Sequence, residues 1–162
     1  LKQFKKAILV IFLAAVIFNF YYYFHSYHIH LPIHYAHQWQ TGIKEIVDAT
    51  KGYQDKYDQI WISKKVGWYV QFLFFLKYPP KDYQPQAKLG PLDEYGFGWV
   101  DGFDKYHFGN LPAISKKEEK VLYVGAPEEF PPSVKPLKII YYPNKIAAFY
   151  LVDKSSFKEN EK

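Results

Sequence analysis

Between Ala7 and Phe24 the chain runs for eighteen residues without a formal charge, and Asn19 is the only strongly polar side chain among them. A hydrocarbon core of ~30 Å needs about that length of apolar helix. Lys2, Lys5 and Lys6 precede the run, and Tyr21, Tyr22 and Tyr23 close it. Lysines mark a cytoplasmic flank, whereas clustered tyrosines suit the opposite membrane–water interface. The expected topology puts the N-terminus in the cytoplasm and everything beyond about residue 25 outside the cytoplasmic membrane. A cleaved signal peptide would want small residues just after the apolar run, but Ala14 and Ala15 lie in its middle. A core helix of a soluble protein would carry a polar stripe, which this run lacks.

Five of the six histidines, His25, His28, His30, His34 and His37, follow within thirteen residues. A zinc site wants three or four converging ligands and carboxylate or carbonyl groups to orient the rings. No Asp or Glu occurs before Glu45. Pro32 is expected to break the helix, leaving residues 26–34 as an extended strap at the membrane exit in which His and Tyr sit among headgroups. No metal ligand is assigned there.

The remainder predicts a small α/β domain over 35–153 and a polar tail over 154–162, behind a transmembrane helix over 1–25. Tyr35, Trp39, Ile43, Ile46, Val47 and Thr50 recur at steps of three and four, the pattern of an amphipathic helix that Gly52 would stop. "YDQIWIS" reads as a buried strand. "VGWYVQFLFFLKYPP" reads as a helix apolar on nearly all sides, too short to span a membrane and ended by Pro79 and Pro80. It belongs either inside a core or against a membrane surface. Residues 81–102 read as loop, "FDKYHFG" and "KVLYVG" as strands, and "KPLKIIYYPNKIAAFYLVD" as a C-terminal β-hairpin turning at Pro143–Lys145.

Charge and composition exclude some functions. The net charge of +5 comes from lysines interspersed with acids, and the chain contains no Arg. A nucleic-acid binder would cluster its charge and use Arg for bidentate contacts, so no nucleic-acid partner is expected. With no Cys there is no thiol nucleophile and no disulfide framework. The absence of Met from a chain beginning at Leu1 points to a processed chain or the end of a longer one.

Several acid pairs are present: Asp93 with Glu94, Asp101 with Asp104, Glu118 with Glu119, and Glu128 with Glu129. Glycoside chemistry needs carboxylates at defined separations, and neighbours in sequence on solvated loops do not establish one. "SKKVG" joins a strand to a helix, where open α/β sheets gather ligands and helix starts favour anions. Ser63, Lys64 and Lys65 are therefore candidate contacts for a substrate or a lipid phosphate, although the stretch lacks the glycines of a phosphate loop. In "EYGFGWVDGFDKYHFG", Phe97, Trp99, Phe103, Tyr106 and Phe108 read mainly as sheet core. A flat aromatic face there also suits a sugar or lipid, which adds Trp99 to the candidate contacts.

Taken in order after the apolar span, "WQTGIKEIVDAT", "YDQIWISKK", "YVQFLFFLKYPPKDYQ", "LYVGAPEEFP" and "KIIYYPNKIAAFYLVD" resemble one family. They look like the C-terminal end of bacterial polytopic glycosyltransferases of the protein-mannosyltransferase type. These are the GT-C membrane enzymes, of the glycosyltransferase family 39 type, related to the aminoarabinose transferases. The resemblance covers most of Tyr21–Asp153. It implies a last span and soluble cap, with an upstream transmembrane domain of the same polypeptide as partner. It further implies a polyprenyl-phosphate-linked sugar as donor and a glycan, lipid or protein acceptor on the outer side. The family's catalytic acids lie in its first outer loop, which has no counterpart in Leu1–Lys162, so no catalytic residue and no cofactor is assigned. Two rival readings remain: a single-pass, membrane-anchored α/β module that binds without catalysis, and a complete small enzyme built on the Lys64/Lys65 loop.

Overall fold

The computed structural model describes residues 2–67, 69–112 and 120–157. It divides into a helical unit ending at Trp39 and an α/β unit beginning at Gln40.

The helical unit opens with α1, Lys2–His25. Consecutive side chains from Ile8 to Phe12 are all exposed, so the apolar surface runs around the whole circumference. Among the described residues none of the apolar stretch is buried. The amide of Asn19 donates to the Ala15 carbonyl at 2.8 Å, which satisfies the one strongly polar group locally. With its continuation the helix covers Gln3–His34, 32 residues, or roughly 48 Å. It is therefore long enough to cross a membrane.

The expected extended strap is not present. A π-helical turn, Ser26–His30, leads straight into α2, Leu31–His34, with Pro32 in the first turn. The amide of Leu31 reaches back five residues to the Ser26 carbonyl. That wider turn resets the hydrogen-bond ladder just before the proline, whose missing N–H costs little in a first turn. Histidine rings of this stretch meet one another, His25 tilted against His30 at 4.9 Å and His30 stacked on His34 at 5.7 Å between centroids.

In the α/β unit, α3 is Ile43–Tyr53. It starts later than its apolar spacing predicts because Gln40 and Gly42 both take positive φ, 57° and 95°. Gly42 also lies against Phe149, where a β-carbon would come within 3.1 Å of the ring. The buried side chains Ile43, Ile46, Val47 and Thr50 keep the helical spacing. Strand β1 is Gln59–Ser63 and α4 is Tyr69–Leu76, followed by the short α5, Pro80–Tyr83.

Residues 81–102 are not loop. They hold the end of α5, strand β2 (Lys88–Leu92) and most of β3 (Gly98–Phe103). Gly96 at φ 81° and the Asp93 carboxylate, which accepts from the Tyr95 and Phe97 amides at 2.9 Å each, make the turn between them. Pro91 is tolerated because β2 is an edge strand. "FDKYHFG" likewise is not one strand: the chain reverses at Asp104, φ 47°, between β3 and β4 (Tyr106–Gly109). Strands β5 (Val121–Gly125), β6 (Lys138–Tyr141) and β7 (Ala147–Val152) complete the sheet, the last two as the expected C-terminal hairpin.

The open sheet has the order β2-β3-β4-β1-β5-β7-β6. Strands β4 and β5 flank β1 in parallel, and the other neighbours are antiparallel. On one face Ile60, Ile62, Leu122, Val124, Tyr106 and Phe108 pack under α3 and α4, with Phe72 of α4 fully buried among them. On the other face Val121, Tyr123 and Val152 pack with Phe130.

The expected solvated tail is anchored at its start. Asp153 caps a 3₁₀ turn, Lys154–Ser156, Ser156 is buried, and Phe157 joins the second cluster. Residues 158–162 lie outside the described part. The Asp153 carboxylate also accepts from the Tyr57 hydroxyl at 2.8 Å. Burial pushes this carboxyl up, but hydrogen bonds from Ser155, Tyr57 and the backbone outweigh it and hold it below the usual value. Its stabilising contribution is therefore present above the ordinary Asp pKa, near ~3.9, and is lost as pH falls through the lower folded value. Asp153→Asn is expected to lower stability at pH 7 and to flatten the loss between about pH 4 and 2. Denaturant unfolding of the solubilised chain across that range checks it, and an unchanged acid slope would contradict it.

Candidate functional site

The carboxyl ends of β4, β1 and β5 lie side by side because the three strands run parallel. The chain leaves β1 at Ser63 toward α4, and it leaves β5 at Gly125 into a 3₁₀ turn, Pro127–Glu129. Two neighbouring parallel strands with diverging exits create the crevice in which open α/β sheets place ligands.

Here the crevice holds one of the protein's own carboxylates. Glu129 Oε1 accepts from the buried Ser63 hydroxyl at 2.6 Å, and Oε2 accepts from the Ala126 amide at 2.8 Å. Ser63 Oγ in turn accepts from the Lys65 amide at 3.1 Å. Gly125 makes the room: a β-carbon there would stand 3.0 Å from Glu129 Oε2 and 2.9 Å from Leu111. Beside this, Lys65 Nζ pairs with Glu128 at 3.1 Å on the surface. Hydrogen bonding from its own backbone, then from Lys65, holds the Glu128 carboxyl below the usual range. An exposed pair of this kind contributes at most ~1 kcal/mol.

The four residues singled out from sequence thus divide into two pairs. Ser63 and Lys65 turn to Glu129 and Glu128. Lys64 and Trp99 meet instead, with the ammonium 5.8 Å from the ring centroid. They line a cleft of about 50 Å³ together with Gly67, Tyr69, Val100, Asp101 and Phe108. That volume takes one or two waters or the edge of a larger molecule. The Lys64 ammonium can bind a phosphate oxygen, and the Asp101 carboxylate with the aromatic rings can hold the hydroxyl edge and flat face of a sugar.

The other sequence candidates scatter. Asp93 shapes its own turn, Asp101 lines the cleft, Asp104 sits at the β3–β4 reversal, and Glu118 and Glu119 lie outside the described residues. Phe103, Tyr106 and Phe108 are core, while Phe97 and Trp99 are exposed. His107 stacks on Trp61 at 4.7 Å, and burial, then Lys88, pushes its pKa down. The Tyr106 hydroxyl is buried, and burial, then Asp104, pushes its pKa up to about 12. Among the described residues no group of three or more His, Asp or Glu side chains converges to hold a metal. The tie between Ser63 and Glu129, 66 residues apart, was not read from sequence. Its one local signal is the Glu two residues after Pro127, at the third position of a helical turn.

Comparison with protein-family models, with curated proteins and with solved structures gives no match.

Glu129→Ala should leave the Ser63 hydroxyl and the Ala126 amide without their acceptor, at a cost of about 1–3 kcal/mol. Adding Ser63→Ala should recover part of that loss, because the two side chains act as a pair. Denaturant unfolding of the single and double variants measures both. Additive losses would show that the carboxylate and hydroxyl are not coupled.

Proposed function

We propose that the chain is the last span and outer cap of a membrane glycosyltransferase. In this reading a sugar moves from a polyprenyl-phosphate carrier to an acceptor on the extracytoplasmic side. The basic start before the span and the tyrosines after it support that orientation. The order of phrases from "WQTGIKEIVDAT" to "KIIYYPNKIAAFYLVD" supports the transferase reading. The structural observation that carries it furthest is the outer face of α4. Phe72 anchors that helix in the core, while Val70 and Phe74 point an apolar surface away from it. A cap resting on further membrane helices would present such an underside.

Lys64 and Trp99 are the residues proposed to meet the phosphate or sugar of the carrier. The acids that catalyse transfer belong to a part of the enzyme upstream of this chain. A second reading, a single-pass anchored module that binds without catalysis, is favoured by the α/β unit's own two-sided core.

The two readings separate in a transfer assay on membranes bearing the product of the complete reading frame, supplied with polyprenyl-phosphate-linked labelled sugar. The cap reading expects a frame that continues through many spans, with an acidic pair in its first outer loop. It also expects transfer that falls about tenfold or more in Lys64→Ala or Trp99→Ala, the loss of ~1.4 kcal/mol in transition-state binding. A start codon directly before Leu1, with no transfer, would leave the binding module.

A further inference from the structure

The sheet edge opposite the C-terminal hairpin carries an apolar load that no part of the fold uses. On the β2–β3 hairpin Leu89, Leu92, Tyr95 and Phe97 are 77%, 70%, 77% and 71% exposed. Four large apolar side chains on nine successive residues are far from the scattered exposure normal for a soluble surface.

We infer that this hairpin is a second membrane contact, resting its apolar side chains in the headgroup region of the bilayer that the N-terminal helix enters. The inference rests on the helix alone and is independent of the transferase reading. Five residues separate the helix end at His34 from the α/β unit at Gln40. A chain of that length reaches at most ~20 Å, so the unit is tethered within reach of the membrane surface.

The strand itself argues against a second copy as the occupant. Pro91 offers no N–H, and the β2–β3 register shifts between Lys88 and Leu89 and again between Leu89 and Leu92. Such an edge cannot present an even ladder to another strand. The residue types argue for lipid: Tyr and Phe with flanking aliphatics are the interfacial set. The tip sets the depth. The Asp93 carboxylate is spent on the Tyr95 and Phe97 amides, and the neighbouring Glu94 carries a charge that stops at the headgroups. Contact is therefore shallow and does not strengthen with anionic lipid.

The chain contains no Cys, so single labelling sites are unambiguous. The full chain is reconstituted in phosphatidylcholine vesicles as Leu92→Cys or Phe97→Cys carrying an environment-sensitive fluorophore. Asn144→Cys is the control; it lies in the β6–β7 turn at the opposite edge of the sheet, roughly 30 Å away at the usual strand spacing. Labels at 92 and 97 are expected to be blue-shifted, quenched strongly by nitroxide placed near the lipid headgroup, and shielded from iodide. Position 144 should show the reverse, and replacing some lipid by phosphatidylserine should not strengthen the contact. Iodide quenching at 92 and 97 equal to that at 144 would overturn the inference. So would shielding from both quenchers, which means a protein surface, or shielding that vanishes at one chain per nanodisc, which means a second copy. Leu89→Ser with Phe97→Ser should abolish lipid quenching at 92 while leaving the unfolding transition unchanged; lipid quenching that survives would also count against it.

Discussion

The pairing of β1 on both sides with parallel strands is the constraint from which the rest of the α/β unit follows. Ile60 and Ile62 are wholly buried on one face, and Trp61 and Ser63 turn to the other. A strand hydrogen-bonded to two parallel neighbours needs crossover connections on its way to each. The connection toward β4 here is α4 and α5 with the β2–β3 hairpin. The same pairing sets the carboxyl ends of three strands together, so it fixes both the crevice and the side chains available to fill it. Without β5 beside β1 there would be no Ser63–Glu129 tie, and without β4 and β3 on the other side no Lys64–Trp99 cleft.

Filling that crevice from within changes what the site can do. A carboxylate bound by a hydroxyl and a backbone amide is held in place and repels another anion at the same spot. The chemistry open to a ligand is therefore displaced sideways to Lys64, Trp99 and Asp101, where charge and a flat ring are both present. The long apolar helix gives that arrangement a setting. A helix of 32 residues that is long and apolar enough to cross a membrane would keep the α/β unit close to a bilayer. The apolar faces of α4 and of the β2–β3 hairpin are costly for a freely diffusing domain and ordinary for one held at that surface.

How much of this was legible depended on whether a feature is local. The long apolar helix, β1, β5, the C-terminal hairpin and the buried face of α3 are written in short apolar patterns, and they stand where the patterns put them. Proline and glycine misled in three places, because their meaning depends on context the pattern does not carry. Pro32 follows a π turn and so does not end the helix. Pro91 sits on an edge strand and so does not exclude one. Gly96 makes a hairpin turn within what reads as loop. The candidate site was legible as a place, the end of β1, but not as a set of contacts. Lys65 pairs with Glu128 while Lys64 lines the cleft, and the position of Glu128 beside β1 depends on a strand pairing more than sixty residues away.

The central claim is that the α/β unit works on the outer side of a membrane that the N-terminal helix crosses. Its most direct test is the accessibility of a single cysteine placed at the exposed Asp55, in the otherwise Cys-free chain, to a membrane-impermeant maleimide in intact cells. The account predicts labelling from outside without permeabilisation. Labelling only after the membrane is broken would place the unit in the cytoplasm and contradict it.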